Sequence, residues 1–175
     1  RIALQSTLSA LVGIVFVYSR NSLPGSNNKK KALVLTGIMY FVLFLIPTLK
    51  YPANPPGVGN PETIYFRESL YVGFIATSGF TALALATISK KLRNNNPLSS
   101  NKILILPSIY VIVMACAFVF FPPNPDKITI AVDLITSFRI AGAFTIAIFW
   151  GLMGIILGSF WDKLKPDETT KIASV

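Results

Sequence analysis

Leu49-Lys50-Tyr51-Pro52-Ala53-Asn54-Pro55-Pro56-Gly57-Val58-Gly59-Asn60-Pro61-Glu62-Thr63-Ile64 is the stretch that decides the fold. Its four prolines fix φ and withhold backbone donors, while Gly57 and Gly59 permit turns that other residues resist. Such a segment cannot lie in hydrocarbon, where every backbone polar group needs an internal partner. It therefore reads as an ordered, extended loop at a membrane surface, provided the flanking segments cross the membrane. A shorter version, Phe121-Pro122-Pro123-Asn124-Pro125-Asp126, follows later.

The flanks meet that condition. Five charge-free runs occur, Ile2–Ser19, Ala32–Leu49, Ser69–Ser89, Ile103–Phe121 and Ile140–Trp161, each of 18 residues or more. At 1.5 Å per residue each can cross a core of about 30 Å, the shorter ones with help from flanking residues. The composition agrees: 53% hydrophobic, 13% charged, with a mean hydropathy of +0.61. The sequence predicts an all-α integral membrane protein of five transmembrane helices. Residues 1–164 form one transmembrane domain in this reading, and 165–175 a polar tail.

The formal charge of +9 is carried by loops between apolar spans, which argues for membrane topology rather than a nucleic-acid surface. Eleven Lys and Arg fall in the first and third connections and the tail, from Arg20 and Lys29 to Lys31, through Lys90, Lys91, Arg93 and Lys102, to Lys163, Lys165 and Lys171. The other five, Arg1, Lys50, Arg67, Lys127 and Arg139, fall on the opposite side. The excess predicts a cytoplasmic C-terminus and extracytoplasmic Pro-rich loops. Five spans then put Arg1 outside, which predicts a further helix upstream.

Two halves, 32–92 and 102–164, resemble one another. Tyr40 and Tyr110, Pro52 and Pro122, Asn54 and Asn124, and Pro55 and Pro125 are each 70 apart, and Phe66-Arg67 and Phe138-Arg139 are 72 apart. Two helical hairpins in the same orientation, a parallel repeat, would give this pattern; recurrence of Pro and Asn by composition alone is the alternative. Asn60-Pro61-Glu62 and Asn124-Pro125-Asp126 each supply an N-cap, a proline at the first helical position and an acid in the first turn. Arg67 and Arg139 read as interfacial anchors, with Glu68 and Asp133 as their partners. The structural and docking loop residues are then Tyr51, Pro52, Asn54, Pro55, Pro56 and Arg67, with Pro122, Asn124, Pro125 and Arg139.

Small residues recur at i, i+4 and i+8 as Ser78, Ala82 and Ala86, and as Ala143, Ala147 and Gly151, followed by Gly154 and Gly158. Such stripes let helix backbones approach closely, so these two helices are expected at the bundle centre. Trp150 and Trp161 fit lipid-facing and interfacial positions.

The loop from Leu49 to Ile64, followed by Arg67 and Tyr71, resembles the signature of the CbtA family of probable cobalt transporter subunits. The stretch from Asp133 to Arg139 and the Gly-rich final helix are similar to the end of that family. The resemblance covers most of Leu33 to Lys163. It implies an integral membrane subunit that acts with partners, and a helix preceding Ile2.

The residues fit a cobalt site poorly. Selective binding of such a metal favours imidazole or thiolate, yet there is no His, and Cys116 is alone in its span. Met114 lies two positions from it, off the shared helix face, so packing is the role read for both. The remaining weak candidates for metal are Glu62, Glu68, Asp126 and Asp133. No phosphate-binding Gly-rich motif, nucleophile elbow or intramembrane carboxylate pair occurs, so no catalysis, cofactor, nucleotide or nucleic acid is expected. The main expectation is a non-catalytic accessory or structural subunit of a larger membrane complex, with a metal-dependent membrane oxidoreductase as one such complex. The alternative is a subunit of a transporter for cobalt or another divalent cation. Both require other integral membrane subunits and lipids as partners.

Overall fold

A computed structural model describes residues 2–95, 102–126 and 130–164. Arg1, Lys127, Lys165, Lys171, the end of the Asn94 to Pro97 turn cluster and the polar tail lie outside the described residues. The order is α1 (Ile2–Ser19), α2 (Asn28–Tyr40), a π turn (Phe41–Leu45), α3 (Ile46–Lys50), a 3-10 turn (Pro61–Thr63), α4 (Ile64–Asn95), α5 (Lys102–Phe120) and α6 (Val132–Leu164). With α2, the π turn and α3 running on as one rod, the described residues form five helical rods and no strand. Three segments, Asn28–Lys50, Pro61–Lys91 and Val132–Leu164, are long and apolar enough to cross a membrane; Ala10–Ser19 and Ile105–Phe120 are shorter apolar helices.

The helices overrun the charge-free runs. α4 starts at Ile64 and carries Arg67 and Glu68 in its opening turns, and α6 starts at Val132 and includes Asp133 and Arg139. Charged side chains at helix ends leave the apolar stretch while the backbone hydrogen bonding continues into the polar layer. Asn60 caps its turn as expected, its side chain accepting from the Glu62 N–H, with Pro61 at the first position. The second loop departs from that pattern. Asn124 Oδ1 accepts from the Asp126 N–H at 3.0 Å, closing a local turn, but α6 begins at Val132, and its first-turn acid is Asp133.

The chain forms two compact units, residues 1–40 with 145–175, and residues 41–144. In the first, Phe16, Ala32 and Leu35 form the buried core, with Val15, Leu23, Met39, Leu157 and Trp161 packed around it. Gly154 and Gly158 bring α6 against the start of α2. A Cβ at Gly154 would collide with the Thr36 hydroxyl and lie 3.1 Å from the Leu33 Cα, and one at Gly158 would sit 2.5 Å from the Lys29 Cα. Trp150, expected to face lipid, is instead buried at 7% exposure. In the second unit, Tyr51, Phe74, Met114 and Ala117 form the core, and Phe74 stands edge-on to both Tyr51 and Phe121.

The π turn leaves one carbonyl without a helical donor. In an i→i+5 pattern the Val42 carbonyl would accept from residue 47, which is Pro47 and has no N–H. Ser78, fully buried on α4, replaces that donor: its Oγ donates to the Val42 carbonyl at 2.6 Å and shares a 2.7 Å hydrogen bond with the Tyr110 hydroxyl of α5. A serine placed in a small-residue stripe thus joins three helices by polar contacts. Along the same stripe Ala82 is half-buried and Ala86 exposed, while Ala143, Ala147 and Gly151 on α6 are half-buried.

Candidate functional site

The two Pro/Asn loops are interlocked within the second unit. Tyr51, buried at the end of α3, donates its hydroxyl to the Pro122 carbonyl at 2.6 Å. Lys50 Nζ donates to the Phe118 carbonyl at 2.7 Å and lies 4.6 Å from the Phe118 ring centroid. A cation there compensates the negative end of α5.

Asp126 is the centre of the interlock. Its Oδ2 accepts from the Asn60 N–H at 2.9 Å and forms an ion pair with Arg67 Nε at 3.1 Å. Its Oδ1 lies 2.7 Å from the Thr63 hydroxyl, which can donate to it. The Thr63 hydroxyl, above all, and then the Asn60 N–H and the Arg67 charge hold the Asp126 carboxyl below the usual carboxylate range, against the opposing effect of desolvation. Arg67 also reaches the Asn60 carbonyl at 3.4 Å. Gly59 makes the approach possible. It adopts φ +108, and a Cβ there would lie 2.6 Å from Asp126 Oδ2 and 2.8 Å from Arg67 Nη1.

The second arginine reaches the other way. Arg139 Nε donates to the Ala53 carbonyl at 3.1 Å, and its Nη2 donates to Asn54 Oδ1 at 3.0 Å. The arginine after the first loop thus binds the second loop, and the arginine after the second binds the first. Both pairings correct the sequence expectation of Glu68 and Asp133 as partners. Glu68 follows Arg67 directly, and consecutive helix residues do not face each other. Asp133 precedes Arg139 by six positions, which at 3.6 residues per turn puts it on another face.

Beside the interlock lies a cleft of about 460 Å³, bordered by Tyr51, Asn54, Arg67, Glu68, Tyr71 and Asn124. Of the four carboxylates considered for metal, Glu68 borders this cleft, Asp126 is occupied by two donors and the Arg67 ion pair, and Glu62 and Asp133 are exposed elsewhere on the chain. No group of three or more His, Cys, Asp or Glu able to hold a metal ion occurs among the described residues. Cys116 is exposed and Met114 buried, so they are not brought together. Pro52 and Pro55 are half-buried, whereas Pro56, Pro122 and Pro125 are exposed. Thr63, Ala53 and Gly59 are the interlock residues that sequence reasoning missed in these roles; the turn-forming character of Gly59 was the available signal.

Three helices long and apolar enough to cross a membrane, joined by ordered loops, point to an all-helical membrane protein. The family model described as probable cobalt transporter subunit (CbtA) matches residues 2–162, and the chain belongs to that family. It is a family of transporter subunits, not of enzymes in their own right. No curated protein and no solved structure matches the chain.

Proposed function

We propose that the protein is a membrane-embedded subunit of a transporter whose cargo is cobalt or another divalent cation, and that it works with other integral membrane subunits. The observation that carries this reading is the family match over residues 2–162. The expectation of a place in a metal-dependent oxidoreductase complex has no comparable support and gives way to its alternative.

The interlocked loops face the extracytoplasmic side in this proposal, as the distribution of Lys and Arg suggests. Glu68 is the carboxylate that would draw cations to the cleft. Oxygen ligands attract divalent ions without selecting cobalt, so selectivity would come from the partner subunits. Asp126 has no such role, because its oxygens are already taken. The reciprocal arginines are what two parallel hairpin repeats would produce, and they support that arrangement.

Radiolabelled cobalt accumulation in cells carrying the intact chain and its partner subunits tests the reading. Glu68→Gln is expected to lower accumulation while leaving the amount of folded protein unchanged. Equal accumulation with and without the whole chain would overturn the transport reading, and mild-detergent purification yielding only a lone monomer would overturn the subunit reading.

A further inference from the structure

The first unit gathers cations where they are electrostatically unfavourable. Lys29, Lys30 and Lys31 occupy the first turn of α2, which holds no acid. The positive end of a helix dipole repels lysines there, and the lysines repel one another. Asn27 caps this end, accepting from the Lys30 N–H through its side chain at 2.8 Å and from the Lys31 N–H through its carbonyl at 3.1 Å. The backbone is therefore largely satisfied, while among the described residues these lysines form no ion pair.

The end of α6 adds to the cluster. Gly158 admits the backbone of Lys29, and Lys163 lies one turn further on. Arg20 lies 4.8 Å from the ring centroid of Trp161, which itself stands edge-on to Phe16 at 5.3 Å. The acid here is Asp162, and its Oδ1 accepts from Asn28 Nδ2 at 2.8 Å. Lys29, Lys30 and Lys31, Arg20 and Lys163 thus lie at the same helix ends as Asp162, whose carboxylate is engaged by Asn28. The apolar helix surface begins immediately beside them, with Val17, Leu33 and Phe160 exposed, and a tryptophan at that junction is typical of the headgroup layer.

We propose that this cluster binds the headgroup of an anionic phospholipid, with the phosphate at the end of α2 that carries Lys29, Lys30 and Lys31 and the acyl chains along the apolar surface beginning at Leu33 and Phe160. A soluble anion would satisfy the charge but would leave that apolar surface unused. The site is independent of the transport reading and requires only that these helices lie in a bilayer.

Trp161 is a built-in reporter. The full chain carrying Trp150→Phe, so that Trp161 is the only tryptophan left, is reconstituted in phosphatidylcholine bilayers. The bilayers contain the same minor fraction of brominated phosphatidylglycerol or brominated phosphatidylcholine. Quenching should show enrichment of the glycerol lipid by about fivefold or more, as several lysines at a charged surface would give. Lys29→Gln, Lys30→Gln and Lys31→Gln together should abolish the preference, and the three Lys→Arg changes should keep it. Equal quenching by both lipids overturns the proposal, as does relief of the preference by inorganic phosphate in the millimolar range, which would mark a soluble-anion site. Should the glutamine variant fail to fold, ionic strength decides: salt must erase the preference in the parent chain, and its persistence would also overturn the proposal.

Discussion

The two units hold their helices by different physics. In the unit built from 1–40 and 145–175, Gly158 and Gly154 remove side chains so that α6 meets the backbone of α2. Close packing of this kind depends on dispersion contacts and tolerates almost no added volume. In the unit of residues 41–144, polar and directional contacts are added to an apolar core. Ser78 completes the π turn, Asp126 collects two donors and an ion pair, and Arg139 spans to the first loop. A packed seam fails when it is overfilled, whereas a polar interlock fails when one donor or acceptor is left without its partner. The two units should therefore respond to opposite kinds of substitution.

The largest effect is expected from Gly158→Leu. Even a single added carbon meets the Lys29 Cα at 2.5 Å, and backbone cannot rotate away as a flexible side chain can. Overpacking of this severity should cost about 3 kcal/mol or more, read as a collapse of thermal stability in detergent and loss of the Phe16–Trp161 contact. Gly151→Ala is the contrast, because a Cβ there meets nothing within 4 Å, and it should be close to neutral. Equal tolerance at the two glycines would show that the seam is not set by close approach.

Ser78→Ala comes next, and it tests the polar unit. The change adds no volume but leaves the Val42 carbonyl without the donor that Pro47 cannot supply. The expected cost is about 1 to 2 kcal/mol, since buried polar contacts between membrane helices are worth less than their surroundings suggest. Pro47→Ala in the same background should restore part of the loss, because residue 47 would then carry an N–H of its own. No recovery would mean that the proline is not what makes the serine necessary.

These contrasts explain what could be read in advance. The helices and the glycine spacing are local patterns, visible within one or two turns of sequence. Asn60 as a cap is equally local. The partners of Arg67 and Arg139 are not: Asp126 lies 59 positions from Arg67, and Asn54 lies 85 from Arg139. Nearest acids in sequence were the natural guess, and helix geometry turns them away. The repeat pattern marked both arginines and both loops, yet only tertiary placement reveals that the pairing is exchanged between them. The π turn was hidden because Pro47 reads equally well as a tolerated kink in a membrane helix.

Arg139→Ala removes two hydrogen bonds to the first loop. Their loss should cost about 1.5 kcal/mol at most, because water reaches the site and replaces part of what is lost. Faster proteolysis between residues 53 and 59, without a change in helix content, is the expected result. Unchanged proteolysis would place the strength of the interlock wholly in Asp126.

The smallest effect is a pH dependence, and its sign distinguishes the interlock from the packed seam. Asp126 is held as a carboxylate by the Thr63 hydroxyl first, then by the Asn60 N–H and Arg67, so its folded pKa lies below the ordinary aspartate value of about 3.9. A depressed folded pKa contributes stability that is present above the unfolded value and is lost as pH falls through the folded one. Protection of the Asn60 amide against hydrogen exchange, corrected for the intrinsic pH dependence, should therefore hold from neutrality down to about pH 3.9 and decline only below it. Asp126→Asn should remove that acid transition while leaving exchange in the Gly154 and Gly158 seam unchanged, since the groups packed on those glycines are Leu33, Thr36, Asn28 and Lys29 and do not include Asp126. A transition centred above the ordinary aspartate value would mean that burial outweighs the donors, and that Asp126 is held in the loops as a neutral acid.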